Sequence, residues 1–270
     1  MMLYGRILIF MYNKEHLKYL RKIKKEKIVI TCYQFLILVI FICFWQLLVD
    51  KKVIDSFIFS SPKKVFETIL NLVNKDLFIH VWTTIYETIL SFSIATILGT
   101  LIAAILWWNK RLQRIIEPYL TILNSLPKVA LGPIIIIWFG AGIKSIIFMA
   151  LLISLIITII NVYEGFNSVN DNKIKLMKSL RANKGQIFFK LILPNSISSI
   201  ISALKINVSM SLIGVIMGEF LVSKKGIGYL ILYGSQVFNL SLVISGVIIL
   251  CIISAVMYYI VSFIEKKVKK

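Results

Sequence analysis

Few side chains in this sequence are spaced for bond chemistry. There is no GxSxG around a serine, no HExxH and no phosphate-cradling GxxxxGK[ST], so a serine hydrolase, a zinc peptidase and an ATP-hydrolysing site all lack their residues. The two histidines, His16 and His80, and the three cysteines, Cys32, Cys43 and Cys251, make no CxxC or other ligand spacing, which argues against a structural zinc and a disulfide framework. No catalytic residue and no metal ligand is assigned. The chemically distinctive residues are instead those that interrupt apolar sequence: Glu87, Lys128, Lys205 and Glu219, and the run Pro127, Gly132, Pro133. Ionisable groups within apolar spans are costly and mark either pairing or function. Lys205 and Glu219 are 14 residues apart, about 21 Å along one helix, too far to pair with each other. Lys128 and Lys205 read as lysines snorkelling to headgroups or as pathway contacts. Glu219 reads as the cap of a neighbouring helix, an ion-pair partner across a subunit, or part of a gate.

The elements that carry these residues are apolar and long. The chain of 270 residues is 59% hydrophobic and 16% charged, against roughly 25% charged in a soluble domain. Six stretches, 28–48, 84–106, 120–139, 146–162, 197–221 and 242–263, are near the length that spans a bilayer, so the expected fold is an all-α polytopic membrane protein with six transmembrane helices. The remaining loops are too short for an ATPase or a ligand-capturing lobe, which places either on a partner chain. The third stretch contains Pro127 and Pro133, with Pro118 just before it, and reads as a kinked or broken helix. A broken helix exposes backbone groups that need a polar lining, which makes Pro127, Gly132 and Pro133 pathway candidates. In the second stretch Ser91, Ala95, Gly99 and Ala103 form a narrow face of small side chains for helix packing. In the fifth, Asn207, Ser211, Gly214 and Gly218 form a comparable but polar face, and Ser198, Ser202 and Ser209 add to its polarity; this helix is expected to line a subunit interface or a pathway.

A net charge of +19 raises nucleic acid as a partner, but the placement of the charge argues for no nucleic acid. Residues 1–27, 107–117, 163–196 and 264–270 hold 21 Lys and Arg, whereas the alternate segments 49–83, 140–145 and 222–241 hold eight. By the positive-inside rule both termini and the 163–196 loop are cytoplasmic in a multi-pass protein of the cell membrane, surrounded by lipid. Trp45, Trp82, Trp107, Trp108 and Trp138 fall at span ends, where amphipathic rings favour the headgroup level. The expected organisation is a basic N-terminal extension (1–27), a first span (28–48), an external loop (49–83), a core (84–265) containing the cytoplasmic loop, and a basic tail (266–270). The apolar run at the N-terminus is too short for a secretory signal.

The 163–196 loop is longer than a simple helix connection. Asn170 or Asp171 can cap a short helix reaching about Asn183, with Ile174, Met177 and Leu180 on one side, and a second helical stretch from Gln186 to Leu193 stops at Pro194. Such a helix is either an interfacial anchor whose lysines meet anionic lipid or a docking helix gripped by a cytoplasmic partner through Met177, Leu180 and Phe188.

At this loop the sequence resembles a family. The order of an amphipathic loop helix, KLILP at 190–194, LKINVSMSLIGVIMGEF at 204–220 and KKGIGYLI at 224–231 resembles the permease subunit of binding-protein-dependent ABC importers, and more narrowly the nitrate, sulfonate, taurine and thiamine-precursor branch. FSSPKKVFETI at 59–69, HVWTTI at 80–85, LNSLPKVALGPIIIIWFGAGIKS at 123–145 and YEGFNSVN at 163–170 extend the likeness over about residues 55–265. The resemblance implies two permease copies around a translocation path, an external substrate-binding protein, and cytoplasmic ATPase subunits that hold the ATP and Mg; no cofactor is expected on this chain. It also implies that the loop helix inserts into a cleft of each ATPase, which makes Lys175, Met177, Leu180, Arg181, Ala182, Gly185, Phe188, Leu193 and Pro194 the candidate coupling residues. Asn207, Ser211, Gly214, Gly218 and Glu219 join Pro127, Gly132 and Pro133 as candidate pathway or gate residues. The family's loop has Glu-Ala-Ala and, four residues on, a Gly; here those positions hold Lys175, Leu176, Met177 and Arg181, and Gly185 is out of register. Arg181 removes an easy positive-φ turn, so either the loop helix is longer here or the partner cleft accepts a more basic helix. Glu87 stands where the family often has Arg. The competing functions are an ion-coupled secondary transporter, for which Glu87, Lys205 and Glu219 are too few to form a relay, and a non-transporting membrane scaffold.

Overall fold

The structure, a computed structural model, describes the backbone of residues 2–268 and the side chains of residues 18–267. Met1 and the last two residues of the basic tail lie outside the described residues. The chain divides into two units, Met1–Val65 and Phe66–Lys270.

In the first unit, one helix, α1 (Met2–Asp50), runs without a break through the expected boundary between extension and span. Its apolar residues, Phe35, Ile37 and Phe41 among them, are exposed, and lipid is the solvent that such a surface tolerates. A short α2 (Ser56–Phe59) is started by Asp55, whose carboxylate accepts the Phe57 N–H at 2.8 Å. The division between units falls within α3 (Pro62–Val73).

The second unit is a helical bundle: α4 (Leu77–Trp108), α5 (Lys110–Ser125), a 3₁₀ turn (Lys128–Leu131), α6 (Gly132–Phe139), α7 (Ile143–Asn167), α8 (Asp171–Ser179), α9 (Lys184–Ile187), α10 (Leu193–Val222), α11 (Ile227–Gln236) and α12 (Leu240–Val268). Among the described residues five helical segments are long and apolar enough to cross a membrane, or six where α5 and the 3₁₀–α6 segment, bent by 87°, count together as one broken span. The all-α polytopic fold is thus observed, and the break predicted from Pro127 is present. The boundary differs: Pro118 sits inside α5 rather than ahead of it, because Asn109 starts that helix earlier by accepting the Arg111 and Leu112 N–H groups.

Helix α7 is the centre, with α10 and α4 packed against it. Small residues make this possible. Ser91, Ala95, Gly99 and Ala103 are all buried along α4, and a β-carbon on Gly99 would lie 2.7 Å from Thr158 Cγ2 on α7. On α10, a β-carbon at Gly214 would collide with the Ala150 backbone of α7, and one at Gly218 would lie 2.8 Å from Ile146 Cα. In lipid, helices gain little from hiding apolar surface, so this close backbone approach is the source of packing energy. Outside this core α11 lies along α12, sharing the buried cluster of Leu77, Ile227, Leu230, Ile249 and Ile253.

Pro194 does not stop a helix. The chain is helical from Lys184 through Val222, passing through a π-type turn at Phe188–Ile192. Proline removes one donor and crowds the carbonyl four residues back. The wider turn immediately before Pro194 relieves both, leaving it at the first turn of α10, where its missing N–H costs little.

Candidate coupling surface and transport path

The loop between α7 and α10 is held by a sequence of caps. Asn170 accepts the Asn172 N–H at 2.8 Å and starts α8. The helix ends at Ser179, where Arg181 adopts φ +56 and its N–H reaches the Lys178 carbonyl at 2.9 Å. The expected extension to Asn183 is therefore corrected. Arg181 takes the left-handed conformation despite its β-carbon, as the Ala182 N–H closes onto Met177 O at 3.0 Å. Asn183 and Gln186 then form a reciprocal capping box that starts α9.

Phe188 was expected to face a partner; it faces inward. It is 5% exposed, with its ring centroid 5.0 Å from Trp107, 5.7 Å from Trp108 and 5.4 Å from Phe166. The next residue, Phe189, is 64% exposed. Met177 is partly buried against the same cluster, as are Ile174, Ala182 and Leu193. The apolar side chains of α8 that face out are Leu176, 61% exposed, and Leu180, 70% exposed. Lys175, Arg181 and Pro194 are exposed, and Gly185 is half-buried beside Asn183 and Trp108. Leu176 was missed because helical spacing grouped Ile174, Met177 and Leu180, whereas Phe188 and Trp107 draw Ile174 and Met177 inward. Ser196 Oγ donates to Gly165 O at 2.9 Å and ties the start of α10 to the end of α7.

The proposed pathway residues separate into two groups. At the bend, Pro127 and Pro133 are exposed, whereas Gly132 is buried against Leu221 and Met149. Lys128 Nζ donates to the Asn124 carbonyl at 2.9 Å, so it satisfies a free carbonyl at the end of α5. On α10, Asn207, Ser211, Gly214, Gly218 and Glu219 are all buried. They turn toward α4 and α7 within the chain: Asn207 Nδ2 donates to Thr96 Oγ1 at 2.8 Å, and the two glycines meet α7. These residues were expected to line a subunit interface or a pathway; within this chain they are taken up by close helix packing instead. The outward side of α10 carries Ser198 and Ser202, exposed, and the half-buried Ser209. Ser198 and Ser202 line an open cavity of about 350 Å³ with Asn161, Glu164 and Ser168 of α7 and its cap.

Glu219 adopts the first of its expected roles, a helix cap. Its carboxylate accepts the Thr84 hydroxyl at 2.6 Å and the Gly228 N–H at 2.6 Å, in the first turn of α11. The Ile227 N–H reaches Thr84 Oγ1 at 2.9 Å and the Gly226 N–H reaches His80 Nδ1 at 3.0 Å. Gly226, at φ +102, and Gly228 leave room for the carboxylate that a β-carbon at either would obstruct. Thr84 and His80 carried no signal of this role in the sequence, since their partners lie more than 130 residues away. Glu87 lies within hydrogen-bonding reach of Glu219, and its Oε2 has no partner. Lys205 pairs with Glu265 of α12 and lies over the Tyr258 ring at 5.7 Å.

Residues 95–270 match the family described as binding-protein-dependent transport system inner membrane component. A relative from Halalkalibacterium halodurans named formylaminopyrimidine transport permease protein ThiX is 29% identical, over 65% of this chain and 70% of its own length. The putative aliphatic sulfonates transport permease protein SsuC of Bacillus subtilis is 25% identical over 86% of this chain and 84% of its own length. Among solved structures, a chain of the MetNI methionine ABC transporter in an inward-facing form matches with a TM-score of 0.65 at 19% identity, covering 72% of this chain and 96% of that one.

Proposed function

This chain belongs to the binding-protein-dependent transport system inner membrane component family, a non-catalytic ABC permease subunit served by a separate ATPase, and from that premise we propose how it couples and what it carries. Two copies form the path, an external binding protein delivers the solute, and the 163–196 loop faces the cytoplasm, consistent with its six Lys and Arg. The observation that carries the coupling assignment is the exposure of Leu176 and Leu180 on α8 while the rest of the loop is fixed by Phe188. An apolar pair on a capped helix, rimmed by Lys173, Lys175 and Arg181, is what a cleft on a moving partner can grip. Because the caps and the Phe188 cluster make the loop continuous with α7 and α10, a displacement of α8 is passed to the spans as rigid-body motion.

The solute is a small polar or anionic molecule of the sulfonate, nitrate, taurine or thiamine-precursor kind; the names of the relatives above support the sulfonate and thiamine-precursor kinds, and the sequence resemblance the other two. The wall it passes is the outward side of α10, Ser198, Ser202 and Ser209, facing the second copy. Against the competing ion-coupled carrier stand two acids already engaged, Glu219 as a cap and Glu265 as an ion-pair partner, which leaves Glu87, among the described buried acids, alone with a free carboxylate oxygen, too little for a relay. The test is uptake by proteoliposomes holding the permease, its ATPase and its binding protein. Ser198→Leu with Ser202→Leu should reduce uptake at least tenfold while the complex still assembles; full uptake in that variant would remove the serine face from the path.

A further inference from the structure

Behind α8, between it and the corner of α4 and α5, lies a cavity of about 560 Å³. Its floor is apolar, made by Trp107, Phe166 and Ile187, and its rim carries Lys110, Lys178 and Lys184 against one carboxylate, Asp171. We propose that this cavity is a binding site for an anionic, phosphate-bearing group that bridges the coupling helix to the ends of the spans.

Four observations support it. Three lysines line the cavity, and among the described residues neither Lys110 nor Lys178 is ion-paired. Lys184 is already held in place: its Nζ donates to the Trp108 carbonyl and stands 5.9 Å over the Trp108 ring, so its charge is fixed at the rim. The volume falls in the range of roughly 300–1,000 Å³ typical of ligand pockets, and the aromatic and aliphatic floor suits the stem that carries a phosphate. Finally, the cavity uses only one side of α8. Asp171, Ile174 and Lys178 line it, whereas Leu176, roughly 200° around the helix from Ile174, and Leu180, the residue that ends the helix, are exposed. A ligand behind α8 and a partner in front of it therefore do not compete.

The chemistry is phosphate recognition by ammonium groups beside an indole, and it could be met by the headgroup of an anionic phospholipid or by a soluble phosphate. Occupancy would tether α8 and α9 to Trp107 and Lys110. Binding itself does not depend on the coupling role assigned to α8; only its effect on transport does.

Native mass spectrometry of the permease–ATPase complex, released from nanodiscs of phosphatidylcholine with added phosphatidylglycerol or from detergent with added pyrophosphate, tests the site. The wild type should retain one of these anions in preference to phosphatidylcholine, and Lys110→Gln with Lys178→Gln should weaken that retention about tenfold per lysine. Asp171→Asn removes the opposing charge and should tighten retention several-fold, which decides the matter if the double variant does not assemble. Retention of phosphatidylglycerol points to lipid as the source and retention of pyrophosphate to a soluble phosphate. Equal retention of both anions by all assembled proteins overturns the site. Intact binding together with full transport in a variant lacking Leu176 and Leu180 would overturn the coupling role alone.

Discussion

The buried carboxylate of Glu219 shows how a charged residue in an apolar span becomes structural. It receives two short hydrogen bonds at 2.6 Å from groups on α4 and α11; without it the Thr84 hydroxyl falls back on the His80 carbonyl at 3.3 Å, and the Gly228 N–H is left unpaired. Leaving a buried donor unpaired costs about 1–3 kcal/mol, so Glu219→Ala should lower the thermal midpoint of the purified protein by several degrees, whereas Glu219→Gln, which keeps an acceptor, should recover part of the loss. Equal midpoints for wild type and Glu219→Ala would show that α11 does not need this cap. Arg181 gives a second prediction of opposite sign. At φ +56 it occupies the conformation that a β-carbon disfavours by roughly 1–2 kcal/mol, so Arg181→Gly should stabilise the loop, read as slower proteolysis between α8 and α9. The sequence resemblance implies a Gly at this position; the backbone keeps the turn that the residue type had argued against.

At the scale of elements, the periodic signals were legible and the partnerships were not. The six apolar stretches, the break at Pro127 and the small-residue face of α4 could be read directly, because each is set by local composition and spacing. The face of α10 was read with the right residues and the wrong neighbour: nothing local distinguishes glycines that meet a solute from glycines that meet Ala150 and Ile146. The same limit hid Leu176, since only the folded position of Phe188 and Trp107 decides which side of α8 is free. Pro194 misled for a different reason, as the π-type turn ahead of it absorbs the crowding that proline normally resolves by ending a helix. Packing predicts that Gly214→Val separates α10 from α7 and lowers the yield of folded protein in detergent, while Ser209→Val on the outward side of α10 leaves it unchanged; a folded, stable Gly214→Val would contradict the close approach. Phe188→Ala should cost about 3–5 kcal/mol by opening the aromatic cluster, a loss of stability rather than of docking alone.

At the scale of the whole molecule, the chain reads as the passive half of a machine. It carries no nucleotide motif, its buried acids Glu219 and Glu265 have structural partners, and its basic residues concentrate on the loops and termini assigned to one membrane face. The contribution proposed for it is a rigid connection from α8, whose Ile174 and Met177 pack on the Phe188 cluster, into α7 and α10. The most direct test is ATP-driven uptake by proteoliposomes containing the permease, its ATPase and its binding protein, with the wild type compared with Leu176→Asp plus Leu180→Asp. The account predicts uptake that requires ATP in the wild type and is lost in the double variant, which still inserts into the membrane but no longer retains the ATPase. Uptake that persists without ATP, or that is unchanged in the double variant, would contradict it.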